Sequence, residues 1–591
     1  MKMWMVLLRR IDVRTSMPYA MASVLLGVCP QTRAQESDAR FYFPDPKPVN
    51  IPLAREVHMS ELPAVTAAGQ VRFVPAPRAP IGEERLRLLK EHAANPSGIT
   101  SEPEAAPAEP SSIKDTPKVV QAYLGEDEVS CGGYSPSDGA FAVNMLYLVQ
   151  VPNSCISIRD ATTGNRYSIA TLNSFFGFPS TDLTGDPRTV YDQLNSKFIV
   201  TAIDFTGCPT TLGVAVSKTN NPRDGWFVYK VGMGGSGDFD ELGQTLDELG
   251  DQAGAIYSSW NLFDCTTGAF DGVVIDIFGK TDAYAGTSLS GSSVTGITFG
   301  GVLLDTVQPV SVTGRSDRPR TEYLVSAANN ANPLPSFCSS GHCNGYYVIS
   351  MSHGISSGGP VFSAIAVSAF NKYSTFNYTI PGPAHQKGAT SGSCLIDTGD
   401  NRISSEAYYQ SGNIYFAHSV GTAVGSATHI SQFQPILSTT DGAAATITGG
   451  ILQNDFCFGC GGQGTNGSNY YPGIVPDPEG NFTLVYDFSD DNHYPEVSYL
   501  SNRVSYPRGS VHDQGFVLQG GASTYCQRDD TGRNRWGDYT GTAPLITTTA
   551  GTPLVPLLTP FWFWGQYSEA NGSWGTAIGR NGYRSVDQVG Y

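Results

Sequence analysis

Several short strings in this sequence place reactive residue types at spacings that catalysis uses. Asp397-Thr398-Gly399 and Asp530-Thr531-Gly532 repeat the tripeptide with which two carboxylates share one proton in a paired active site. The first follows Leu395-Ile396, as a strand end should. The second follows the polar Gln527-Arg528-Asp529 and precedes Arg533, so both read as turns. Gly354-Ile355-Ser356-Ser357-Gly358 has the spacing of a nucleophile elbow, which needs a strand before it and a helix after it. Here a β-branched run at 359–367 follows, and a hairpin loop is expected instead. Gly185-Asp186-Pro187 and Tyr191-Asp192 could hold a metal or a proton, but no ligand partner accompanies them, and turn and strand-start roles are expected.

The candidate binding residues lie late in the chain. In Arg535-Trp536-Gly537-Asp538-Tyr539, strand alternation would place Arg535 and Tyr539 on one face, with Trp536 and Asp538 on the other. Arg535 could pair with a buried carboxylate or hold a ligand carboxylate at a channel mouth, where Arg402, Arg533 and Arg580 are the other arginines whose convergence would mark a site. Trp562, Trp564 and Tyr567 belong to an aromatic run that would serve either as a sugar-stacking platform or as packing between sheets. Asp487 to Asn492 offers oxygen ligands for calcium but matches no EF-hand spacing, so no metal and no cofactor is expected. Of the 11 cysteines, Cys338 with Cys343 and Cys457 with Cys460 are the expected local disulfides. Zinc is the rival for the latter pair, but no second Cys or His pair supports it.

The elements that must position these residues are strands. Only 15% of residues are charged, against about a quarter in an ordinary chain, while Gly (66), Tyr (29) and Phe (28) are abundant. A net charge of −17 with no basic stripe argues against nucleic acid. No stretch reaches the roughly 20 apolar residues of a membrane helix. Arg9, Arg10 and Arg14 ahead of an apolar run at 17–29 predict an export signal over about residues 1–35. Cys29 follows Val28 where a lipoprotein signal has a small residue, so no lipid anchor is expected.

Residues 36–125 are rich in Pro, Ala and Glu, and read as an extended arm or spacer with one short helix at 81–92. From 126 to 591 short β-branched and aromatic runs alternate with Gly, Asn, Asp and Pro turns. Only 239–249 shows helical periodicity. So many antiparallel strands must hide their edges, and radial sheets closing on themselves do so. An all-β fold is therefore predicted, a β-propeller of most simply seven blades, with six or eight open. Its units begin near residues 130, 186, 245, 320, 398, 468 and 533.

The strings Ser135 to Ala140, Tyr147 to Asn153, Asp160 to Gly164, Gly185 to Asp192 and Asp224 to Trp226, in that order, resemble a group of exported bacterial β-propellers. The closing strings Tyr471-Pro472, Gly480-Asn481, Tyr494-Pro495, Arg535 to Tyr539 and Trp574 to Gly579 are similar to the same group. The likeness covers about 130–580 and is poor between 300 and 395. It implies a loosely sialidase-like fold and largely unassigned activity. The expected function is an exported or surface binding module for an extracellular glycan or protein. The alternative is a sialidase-like glycoside hydrolase, whose arginine set, Tyr–Glu pair and Asp boxes are not found as motifs.

Overall fold

Runs such as Lys197–Asp204 form strands because every position after the first is buried, so that both faces of the strand need apolar or hydrogen-bonded side chains. In a computed structural model, the described residues are 40–66, 71–94, 116–245, 254–312, 321–334, 337–339, 341–352, 359–368, 370–371, 374–375, 377–423, 425–438, 445–461, 466–509, 511, 515–544 and 559–583. The fold is all-β and is a β-propeller. Its innermost strands are Gly139–Val143, Thr184–Asp192, Ser236–Gln244, Gln308–Val312, Ala407–Gln410, Ser468–Pro476 and Gly541–Pro544. Each opens an antiparallel four-stranded sheet; the fourth and fifth sheets join through a parallel pairing of Val310–Val312 with 407–409. Each innermost strand packs beside the next, and Gly541–Pro544 returns to Gly139–Val143, closing the ring.

Separate apolar cores fill the spaces between neighbouring sheets. Phe198 and Val200 face the first sheet with Val149 and Ile156, while Ile199 and Ile203 on the same strand face the third with Ile256 and Val274. The last core joins the seventh sheet to the first through Trp562, Trp564, Ile578, Phe141 and Leu148. Each large side chain so buried contributes roughly 1.5–3 kcal/mol, which is why alternation of polar and apolar residues is weak along these strands.

Gln121–Asp127 supplies the outermost strand of the seventh sheet, antiparallel to Trp574–Tyr583. Thus residues on the arm side of 126 close the propeller. The arm itself is docked rather than free. Lys47–Pro52 extends the third sheet against Ser288–Thr295, and Arg55–Val57 extends the second against Trp226–Gly232. Both strands cover edges that would otherwise invite pairing with another chain, and Pro48 and Pro52 are tolerated because the added strand is itself an edge. The helix expected at 81–92 is present as α1, Glu83–Ala94.

The helical reading of 239–249 is corrected over its described part. Ser236–Gln244 is an innermost strand, and its Leu242 packs between the second and third sheets. The Leu spacing mimicked a helix, but pairing on both sides decided the backbone. Cys338–Cys343 and Cys457–Cys460 are disulfides, as are Cys131–Cys155, Cys208–Cys265 and Cys394–Cys526. Cys457 and Cys460, the pair for which zinc was the rival, are joined to each other. Among the described residues no helix is long and apolar enough to cross a membrane. The expected signal at 1–35 and the Gly354 to Gly358 loop lie outside the described residues; that loop is flanked by the paired strands Tyr346–Ser352 and Val361–Val367.

Candidate binding site at the propeller axis

The innermost strands begin at one end of the axis, and an aspartate stands within three residues of the start of five of them, Asp138, Asp186, Asp238, Asp305 and Asp538, while Asp400 lies seven residues ahead of the fifth strand at Ala407. In four the aspartate follows glycine, at Gly185, Gly237, Gly399 and Gly537. The strand starts are irregular for a physical reason. Bulges lie between Gly185 and Arg188, between Asp238 and Glu241, and between Tyr470 and Gly473. Asp186, Phe239, Thr306 and Tyr471 take the left-handed backbone at φ of 48°, 56°, 38° and 51°. Bulges of this kind re-aim side chains, here toward the axis. Strained backbone kept at the same place in several sheets is a reason to look for function there.

The carboxylates meet cations. Arg402 binds Asp400 through Nε at 2.8 Å and Nη2 at 2.7 Å, and its guanidinium lies over the Phe239 ring. Arg535 Nη2 is 2.6 Å from Asp538 and 3.8 Å from Asp138. The Asp538 amide also donates to Asp138 at 2.6 Å. Arg188 donates to the Asp240 and Ser404 carbonyls, stands 3.2 Å from Glu241 and stacks on Tyr539. One guanidinium thereby links the second, third, fifth and seventh sheets.

Burial is the largest influence on these groups. It raises Asp138, Asp186 and Glu241 well above the usual carboxylate range, with neighbouring carboxylates adding to the rise. Asp240 and Glu406 are pushed up to about 7 by burial, against the pull of Arg188. At the rim, burial opposes ionisation of Asp397, but Lys90 and then Arg533 outweigh it and hold the carboxyl at about 2. Several buried polar atoms along the axis have no hydrogen-bond partner among the described residues: Asp186 Oδ1, Asp238 Oδ1, Asp240 Oδ1, Glu406 Oε2, Arg402 Nη1 and Arg535 Nη1. Such atoms are costly unless something else satisfies them. A cavity of about 20 Å³ at this mouth is lined by Leu86, Lys90, Phe239, Asp397, Arg402 and Asp538, among others.

The structure thus brings together Arg402, Arg535 and Asp538 of the sequence-predicted set. Arg535 and Asp538 bond directly because 535–540 lies outside any strand, so the expected alternation does not apply. Trp562 and Trp564 lie instead in the core between the seventh and first sheets, and Tyr567 between the sixth and seventh. None of the three rings forms an exposed platform. Asp186 and Asp192 serve as structural acceptors: Asp186 takes the Phe239 amide, and Asp192 takes Lys280, Tyr284 and the amides of Leu194 and Asn195. Asp397 is buried at the rim and Asp530 is exposed on a turn, so they form no dyad. Asp487 is buried and accepts the Trp536 indole N–H. Sequence reasoning missed Arg188, Asp138, Asp238 and Lys90 as site residues. The recurring Gly-Asp dipeptide was the signal that could have found Asp238 and, beside Gly185-Asp186, Arg188; Asp138 follows serine and Lys90 lies on a helix, so it marks neither.

No family model and no curated protein sequence matches the chain. Among solved structures it is similar to a Dos1 propeller at 9% identity, covering 78% of this chain and 81% of that one, with a TM-score of 0.30. Similarity to the phage phi92 endosialidase is 9% identity over 77% and 68% of the two chains, TM-score 0.27. For the exo-β-1,3-galactanase of Phanerochaete chrysosporium the values are 12%, 66% and 92%, with a TM-score of 0.27. The propeller assignment rests on this chain's own strand order and closed ring of cores.

Proposed function

We propose that the protein is an exported or surface binding module that engages an extracellular partner at the axial mouth. The observation that carries the reading is the set of buried carboxylate and guanidinium atoms with no hydrogen-bond partner among the described residues, on the bulged starts of the second and third innermost strands and on the segments leading into the fifth and seventh. Carboxylates accept from hydroxyl or amine groups, and guanidinium groups donate, so the mouth offers both halves of a polar recognition surface. Five disulfides support the exported setting.

A glycoside hydrolase at the same mouth is the second reading. It draws on Asp138, whose burial and neighbouring Asp538 favour its protonated form beside a second carboxylate. An acid and an ionised carboxylate are what glycoside cleavage needs. Against a sialidase type, each axial arginine is already paired with a carboxylate of the chain. The Tyr567–Glu569 hydrogen bond belongs to the end of the seventh sheet's second strand rather than to the cavity lining.

The test is a glycan array and an array of peptides of graded charge, probed with the full chain and with Asp538→Asn, beside a fluorogenic glycoside panel. Saturable retention weakened at least tenfold by Asp538→Asn, with no turnover, is expected. Turnover abolished by the same substitution would replace binding with catalysis.

A further inference from the structure

The axial mouth is covered by a segment of the chain itself. Arg72-Phe73 pairs in parallel with Tyr134-Ser135, and the Val74 amide donates to the Ser135 carbonyl at 2.9 Å. The chain then passes over the strand starts. The Arg78 amide donates to Asp238 Oδ2 at 2.6 Å, and its guanidinium reaches the Ser236 carbonyl and hydroxyl at 2.9 Å each. The Ile81 amide donates to the Ala331 carbonyl, and Arg402 Nη2 donates to the Arg78 carbonyl at 3.4 Å. Helix α1 follows. Its inward stripe at helical spacing consists of the buried Leu86 and Lys90 and the partly buried Leu89 and Ala93, with Leu86 against Ala331 and Ile380. Lys90 places its ammonium on Asp397, at the rim where Arg533 also stands.

We infer that this segment is an intramolecular occupant, and that the mouth beneath it is built to take a basic polypeptide segment from a partner. The inference rests on the mouth being the ligand site, and it names the partner's class. What the mouth recognises in residues 72–94 is backbone amides and a carbonyl, two cations set 12 residues apart, and one leucine. These are the marks of peptide recognition. A neutral sugar supplies neither a cation for Asp238 nor one for Asp397. Unseating the segment would strip both aspartates of their cationic partners from the arm, leaving acidic groups facing the mouth. Attachment within one chain gives the segment a high effective concentration, so an external peptide displaces it only in large excess or once the latch weakens.

The experiment uses the full chain and a fluorescein-labelled synthetic peptide of residues 72–94. In Arg78→Glu/Lys90→Glu, repulsion by Asp238 and Asp397 ejects the segment. This variant should bind the peptide at least tenfold more tightly than the parent chain, and a peptide with both cations replaced by glutamate should not bind. A folded variant that fails to bind the labelled peptide overturns the inference, as does equal binding by the parent chain. A second measurement needs no variant. Lys90 should resist acetylation in the parent chain, and excess unlabelled peptide should raise its rate of modification several-fold. An unchanged rate counts against exchange at the mouth. If ligand retention sensitive to Asp538→Asn occurs without peptide exchange, the binding function stands and this inference falls. If peptide exchange occurs and neither array retains the protein, the segment is a latch and the binding function falls.

Discussion

His418 Nδ1 lies 2.7 Å from the Asn401 carbonyl, so Nδ1 carries a hydrogen and donates there. His418 Nε2 lies 2.8 Å from His429 Nδ1, and His429 Nε2 lies 2.5 Å from Asp455 Oδ1. Burial, followed by the neighbouring His429, pushes His418 well below the ordinary imidazole range. Because its folded pKa lies below its unfolded value of about 6.5, the unfolded chain binds more protons below that pH, and stability falls there by up to about 1.4 kcal/mol per pH unit. Asp240 and Glu406, raised to about 7 by burial, act in the opposite sense: their contribution is present at low pH and lost as pH rises from about 4 to 7. The difference between chains isolates the histidine. Melting temperatures recorded from pH 7.5 to 5 should fall more steeply for the parent chain than for His418→Gln; parallel curves would remove His418 as the cause. At this scale the sequence was readable where charge forced a choice. Arg402, Arg535 and Asp538 stand together because buried charges must pair. Trp562 and Trp564 were ambiguous, since an aromatic on a strand looks the same whether its face meets solvent or a neighbouring sheet.

The elements show why strands were legible and one apparent helix was not. Short β-branched runs between turn residues mark strands, and the expected unit starts near 186 and 468 fall at Thr184–Asp192 and Ser468–Pro476. In 236–244 the leucine spacing competed with pairing to Ala255–Phe263, and the ladder prevailed. The docking of the arm was illegible because its Pro-rich composition buries little surface of its own; its strands are ordered by sheet edges supplied from elsewhere. The closing strand Gln121–Asp127 is held in the same borrowed way. Gln150 donates to Thr576 Oγ1 at 2.8 Å, Thr576 donates to the Glu126 carbonyl, and the Glu126 amide returns to Gln150. Gly125 lies against this triad, and a Cβ there would meet Thr576 Oγ1 at 2.3 Å and Gln150 Nε2 at 2.7 Å. Gly125→Val should therefore lower stability by about 1–3 kcal/mol. Chemical denaturation would read it as a lower midpoint at unchanged slope, and an unaltered midpoint would mean that the closing strand contributes nothing to closure.

At the scale of the whole molecule, no covalent bond joins the two ends of a propeller, so the ring stays closed through cross-ties between sheets. Arg188 is one such tie at the axis. Cys394–Cys526 is another, joining the segment before the fifth innermost strand to the segment before the seventh across a sequence separation of 132. Cys457–Cys460 spans a separation of 3 and ties nothing remote. If disulfides act by restricting the unfolded chain, the long tie is worth roughly 5 kcal/mol and the short one roughly 2 kcal/mol. The long tie also holds the rim, because Asp397, which seats Lys90, follows Cys394 closely, while Arg533 and Arg535 follow Cys526. Cys394→Ala/Cys526→Ala should thus cost more stability than Cys457→Ala/Cys460→Ala in a denaturant titration. It alone should also speed acetylation of Lys90 under native conditions, since the rim carrying the carboxylate loosens with it. Equal losses in the two double variants, or an unchanged Lys90 rate in the first, would show that closure and the mouth are held by the sheet cores instead.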